Sequence, residues 1–157
     1  MDFMVSIRWC KGQIKGIAFV EPNDNLTNEY IATAKETLDV LHSITGKSNV
    51  WLATTKYYAE YFAFYALLMK IGVKCEIHDC TIAIAHLLEK ENILPKGFAK
   101  VLEDDKQLRI DNQYYLKNRE VVINYDDLLK FVLTVQKITL GLTQTKIENI
   151  RKILKRI

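Results

Sequence analysis

Proline and glycine are scarce in this sequence, with two and six residues respectively in 157. That scarcity argues against a turn-rich β-sandwich and against a disordered, proline-rich chain. Long apolar runs are missing as well: no stretch reaches the roughly 18 uninterrupted apolar residues that a membrane span requires. The N-terminal MDFMVSIRWCKG lacks the continuous apolar centre of a secretion signal, so the expectation is a soluble, cytoplasmic protein with no membrane association. A net charge of +3 is too small to announce nucleic-acid binding by itself. Three cysteines, an odd number, predict free thiols in such a compartment. A Gly-rich phosphate loop, H-E-x-x-H and G-x-S-x-G are all absent, which leaves the familiar cofactor and hydrolase classes unsupported and predicts no cofactor. Internal repeats and low-complexity tracts are absent too, and 49% apolar content suits one domain, residues 1–157, around a single core.

What the sequence does contain is helical periodicity and rings. Tyr57 to Phe64, within KYYAEYFAFYALLMKIG, carries five tyrosines and phenylalanines in a run of eight residues. Trp51, Thr55, Tyr58, Phe62, Tyr65 and Met69 form one stripe at helical spacing, and Thr54, Tyr57, Tyr61, Phe64 and Leu68 form a second beside it. A helix that is apolar around most of its circumference must be central, or must also face a second subunit. It can start at Ser48 or Asn49 and stops at Gly72. Before it, Asn23, Asp24 and Asn25 can cap a helix whose apolar positions Ile31, Ala34, Leu38 and Leu41 recur up to Gly46. After it come a helix over roughly 81–91 with Asp79 as N-cap, a loop at ILPKGF, and a helix from Ala99 that bends or frays near Tyr114 and Tyr115. Asn124 can cap the next helix, and an amphipathic tail places Ile147, Ile150, Leu154 and Ile157 on one side. Periodicity does not decide between strand and extended arm for residues 12–22. The predicted fold class is all-α: an antiparallel bundle of about five helices, with a short irregular N-terminal arm and a C-terminal amphipathic helix.

Two clusters carry chemistry. Cys75, His78 and Cys80 form C-x-x-H-x-C, and thiolates with an imidazole are zinc ligand types. A structural zinc takes four ligands, and only the distant Cys10 or His86 would supply the fourth. Small buried cysteines with a histidine at a helix start is therefore the preferred reading, and no metal is expected. The second cluster is LRIDNQYYLKNRE, residues 108–120. Arg109, Asn112 and Gln113 share one helical face, while Asp111, Tyr114 and Tyr115 lie along another. An arginine fork beside amides suits a phosphate or a base edge, and tyrosines offer stacking surfaces. Against this stands a solvated helix face with both rings tucked into the core.

Taken together, ATTKYYAEYFAFYALLMKIG, the IHD that follows it and the downstream LRIDNQYY resemble the signature helix, turn and second motif of the HEPN domain. The resemblance spans about Asn25 to Tyr115. It implies an antiparallel helical bundle that forms a homodimer with a cleft between subunits. It further implies binding of nucleotide or RNA, and a minimal nucleotidyltransferase as partner protein in a toxin–antitoxin-like module. Ribonuclease members of that family carry an arginine followed, after a short spacer, by a histidine, and cleave RNA without metal. Arg109 matches the arginine; Tyr114, Tyr115 and Leu116 stand where the histidine is expected, and no histidine follows His86. The ligand-binding candidates are therefore Arg109, Asn112, Gln113, Tyr114 and Tyr115, and the catalytic candidates Arg109, Tyr114 and His78. Besides a binding module, the alternatives are a divergent metal-independent ribonuclease, with Arg109 stabilising charge and Tyr114 or His78 moving the proton, and a non-catalytic dimeric scaffold.

Overall fold

A computed structural model of the chain describes residues 5–157. Its elements, in order, are α1 (Ile7–Lys11), β1 (Ala18–Phe19), α2 (Asp24–Ser43), α3 (Asn49–Ile71), β2 (Val73–Lys74), α4 (His78–Lys90), α5 (Phe98–Gln113), α6 (Tyr125–Leu140) and α7 (Gln144–Arg156). The fold is an all-α helical bundle, and among the described residues the only sheet is the antiparallel pair β1–β2, with Ala18 opposite Lys74 and Phe19 opposite Val73. None of its helices is long and apolar enough to cross a membrane, among the described residues.

Local signals set most boundaries. Asn23 and Asn124 accept from Leu26 N and Asp127 N at 3.0 and 3.1 Å, while Ser48 and Thr143 accept from Trp51 N and Lys146 N at 3.3 and 3.2 Å. Each such cap satisfies one of the orphan N–H groups of a helix start. Gly72 ends α3 in the left-handed region at φ 74°, and a Cβ there would collide with Val20 O and the Arg151 guanidinium. The collision explains the residue: Arg151 of α7 reaches in beside Gly72 and its Nη1 donates to the carbonyls of Val20, Ile71 and Gly72.

Helix α3 is the centre of the bundle, packed by α2, α5, α6 and α7. Tyr57, Phe64, Leu67, Leu68 and Ile71 are almost fully buried on different sides of it. At about 1.5–3 kcal/mol per large side chain removed from water, this helix supplies the largest share of the apolar driving force. The stripe that begins at Trp51 is less complete. Trp51 is exposed and Tyr58 and Phe62 are half-buried, and Tyr30 of α2 packs against Phe62 at 6.1 Å between ring centroids.

Four expectations change. The N-terminal arm is not wholly irregular: Ser6 caps the short helix α1, and residues 18–19 form a strand. Helix α4 begins at His78, its N-cap is Ile77 without a side-chain cap, and Asp79 instead pairs with Lys106 of α5 at 2.5 Å. The cysteines are not all free. Cys10 and Cys80 form a disulfide with their Cα atoms 5.7 Å apart, because α1 folds back onto the first turn of α4; Cys75 remains a buried thiol. Finally, Tyr114 and Tyr115 are not in the core. Helix α5 stops at Gln113, and both rings are about two-thirds exposed (64% and 68%).

Candidate functional site

Three helices meet around one set of rings. Tyr57, Tyr58 and Tyr61 lie along one edge of α3, as the i, i+1, i+4 spacing dictates. His78 enters from the first turn of α4, and Arg109 from the last turns of α5, with Tyr114 at that helix's end. His78 stacks on Tyr61 at 4.3 Å between centroids and 9° between planes, and its Nδ1 shares a 2.7 Å hydrogen bond with Tyr57 Oη. The Arg109 guanidinium carbon lies 5.0 Å from the centre of the Tyr57 ring, 5.5 Å from that of Tyr58 and 5.9 Å from that of Tyr114. Its Nη1 donates to Tyr58 Oη at 3.3 Å. His78 and Arg109, on different helices, therefore contact the same pair of tyrosines.

The charge pattern around this cluster is asymmetric. Lys56 pairs with Asp105 at 2.9 Å, Lys106 with Asp79, and Lys117 and Arg119 with Asp111 at 3.5 and 2.9 Å. Arg109 is 8% exposed, its Nε has no hydrogen-bond partner, and no carboxylate among the described residues lies within ion-pair distance of it. Cation–π contacts with the rings offset part of its desolvation, at about 0.5–2 kcal/mol each. They supply no counter-charge.

The same surroundings set the protonation of the other groups. Burial first, then the Arg109 and Lys106 cations, depress His78 from its ordinary 6.5 to about 4 against the opposing pull of Asp79. The imidazole is neutral at neutral pH. Burial likewise pushes the Tyr57 and Tyr61 phenols upward, so both keep their O–H. One turn along α3, Glu60 is 1% exposed and meets the carboxyl of Asp105 on α5. Neither Glu60 Oε1 nor Asp105 Oδ2 has a hydrogen-bond partner among the described residues. Burial and that contact hold Glu60 well above the usual carboxylate range, opposed by the nearby Lys56 ammonium.

The residues singled out in LRIDNQYY thus separate. Arg109 and Tyr114 join the ring cluster. Asn112 is fully buried, and its amide is occupied: Oδ1 accepts from Arg119 N at 2.7 Å, while Nδ2 donates to Arg119 O and Asn49 O. It closes the loop after α5 onto the start of α3. Gln113 is half-buried with its Oε1 unpartnered, and Tyr115 turns outward toward Lys117. Asp111 accepts from Gln107, and with Lys117 and Arg119 nearby its carboxyl sits below the usual range.

The C-x-x-H-x-C residues also part company. Cys80 is bonded to Cys10, the Cys75 thiol points to Ile77 O at 3.4 Å, and His78 turns to Tyr57. No group of three His, Cys, Asp or Glu side chains among the described residues is placed to hold a metal ion. Sequence reasoning missed Tyr57, Tyr58 and Tyr61 as site residues, because the same spacing that puts them on one edge of α3 is what a core stripe shows. An uncompensated guanidinium over rings, a neutral imidazole and an exposed phenol can together take an anion that carries a flat ring. No family model, no curated protein and no solved structure matches the chain.

Proposed function

We propose that the protein is a HEPN-like dimeric module that binds a nucleotide or RNA, with Arg109 holding a phosphate and Tyr114 offering a stacking platform for a base. The observation that carries this reading is the Arg109 guanidinium, more than nine-tenths buried and without a carboxylate partner among the described residues, while the other cations near it have one. A buried charge is costly unless it is paired, and a phosphate can supply both the countercharge and the acceptor that Nε lacks. Tyr114, 64% exposed beside that guanidinium, offers a face to an unpaired base. The half-buried rings of Tyr58, Phe62 and Tyr30, with the exposed Trp51, form the face on which a second copy packs. The partner protein in this reading is a minimal nucleotidyltransferase, which rests on the HEPN resemblance alone. Fluorescence anisotropy with a labelled single-stranded oligoribonucleotide tests the binding claim. Arg109→Gln should weaken it roughly five- to 150-fold, the equivalent of about 1–3 kcal/mol for a charge-assisted hydrogen bond, with the helical signal unchanged. Equal affinity in the two proteins contradicts it.

A second reading, a ribonuclease, is favoured by one observation: His78 is neutral and shares its tyrosine rings with Arg109. In that reaction the imidazole takes the proton of a 2′-hydroxyl, whose oxygen attacks the adjacent phosphorus. Arg109 holds the phosphoryl oxygens, and the 5′-linked oxygen leaves with the proton that the imidazolium returns. RNA fragments ending in 2′,3′-cyclic phosphate, lost in His78→Ala, would establish it; intact RNA would eliminate it.

A further inference from the structure

The start of α4 carries the site histidine, yet it is held by little of its own. Ile77, its N-cap, makes no side-chain cap bond, where α2, α3, α6 and α7 are each closed by a side-chain oxygen. The N-terminal arm holds it, beside the Asp79–Lys106 ion pair and the His78–Tyr57 hydrogen bond. Cys10 of α1 is bonded to Cys80, two residues after His78, and Lys15 O accepts from Glu76 N at 2.9 Å just before the helix. The arm is itself folded tightly on that cysteine: Gln13 N and Ile17 N both donate to Cys10 O, and a Cβ at Gly16 would strike that carbonyl. Lys11 ties α1 to the far end of the chain by donating to the carbonyls of Leu154, Lys155 and Ile157. The disulfide is therefore the covalent link, beside the Lys15–Glu76 hydrogen bond, through which this arm fixes the first turn of a helix without a side-chain cap.

We infer that the Cys10–Cys80 bond is a redox-sensitive staple that positions His78 against Tyr57 and Tyr61. The reaction is simple in balance: a dithiol gives two electrons and two protons to the bond, leaving two cysteine thiols and its own cyclic disulfide. Both sulfurs are buried, so reduction proceeds through a local opening of the five-residue α1. With the bond broken, the first turn of α4 frays and His78 leaves the ring stack, while α3 and its packing remain. In a reducing compartment such a bond is transient and acts as a sensor, which is the use intracellular disulfides have. The groups that face His78 are Tyr57, Tyr58 and Tyr61 from α3, Lys106 and Arg109 from α5, and Asp79 from its own helix.

The test reads the imidazole itself. The oxidised protein, denatured without reductant, should show one thiol, that of Cys75, and three after reduction. By NMR, with His78→Gln used to assign the signal, His78 in the oxidised protein should titrate near pH 4. Dithiothreitol should move that midpoint up toward 6.5 with the circular dichroism of the helices retained, and reoxidation should return it. Cys10→Ala should show the raised midpoint under both conditions. Three thiols in air-oxidised protein overturn the inference, as does an unchanged midpoint after reduction. Loss of the helical signal on reduction overturns it too, because the bond would then support the whole bundle rather than the position of one histidine.

Discussion

Tyr57 Oη and His78 Nδ1 lie 2.7 Å apart, and this one hydrogen bond joins the central helix α3 to the first turn of α4. Tyr57 is fully buried and keeps its proton, so its hydroxyl has few alternatives to the imidazole. Tyr57→Phe keeps the ring and removes only the oxygen. It should lower stability by about 1–2 kcal/mol, since an imidazole nitrogen is left without a partner, and lower the melting temperature by roughly 2–8 °C. A calorimetric scan in which the variant melts with the wild type would show that the bond carries no weight.

His78 and Glu60 act on the pH dependence of stability with opposite signs, in windows that overlap above pH 4.5. The folded state holds His78 neutral, so between 6.5 and about 4 it binds fewer protons than the unfolded chain, and stability is lost as pH drops through that window. Glu60 acts with the opposite sign: its folded form keeps a proton above the ordinary 4.5, so its contribution is fully present below that value and is lost as pH rises toward its raised folded value. Urea midpoints measured against pH should show the acid-side fall flattened in His78→Gln. Glu60→Gln, whose amide can donate to Asp105 without a titrating proton, should remove the loss that sets in as pH rises above 4.5. Variants that keep the wild-type profile would refute these assignments.

Asn112 is predicted to matter for folding rather than for ligand. Asn112→Ala strips partners from Arg119 N, Arg119 O and Asn49 O at once, which should cost about 2–3 kcal/mol. Oligonucleotide affinity, measured below the melting point, should stay within about twofold of wild type, about 0.4 kcal/mol, since the Asn112 amide is already occupied within the protein. A variant that folds normally and binds weakly would move Asn112 into the site.

Much of the fold is written in short-range signals. Asn23, Ser48 and Asn124 each cap a helix three residues before the N–H they accept, and the ring pattern from Tyr57 to Phe64 marks the central helix, buried on most of its sides. The tyrosine pair after Gln113 ends its helix, as the loss of periodicity there suggests. What escaped were relationships between distant parts of the chain. The Cys10–Cys80 bond spans 70 positions and depends on α1 folding back, which no local spacing encodes. Asp79 has a cap-forming side chain, but Lys106 on the neighbouring helix takes it. The character of Arg109 is likewise a matter of its neighbours: nothing in LRIDNQYY says that Asp111 is satisfied by Gln107, Lys117 and Arg119, leaving the guanidinium to the rings.

On the proposed reading the partly covered rings of Tyr58, Phe62 and Tyr30 and the exposed Trp51 face a second copy. Light scattering at micromolar concentration should then report a dimer. Trp51→Glu, which places a charge on that face and touches nothing in the core, should yield a folded monomer. A monomeric wild-type protein would remove the two-subunit cleft.

The central claim is that Arg109 is a phosphate site, and its own Nε–H is the most direct witness, since that group has no partner among the described residues. Its NMR resonance can be followed while a nucleoside monophosphate is added up to roughly 10 mM, where an interaction of only about 3 kcal/mol already shows. The account predicts a saturating shift of the Arg109 Nε–H signal with the same midpoint as the perturbation of the Tyr114 ring. A resonance that stays in place across the titration, with the protein folded, would contradict it.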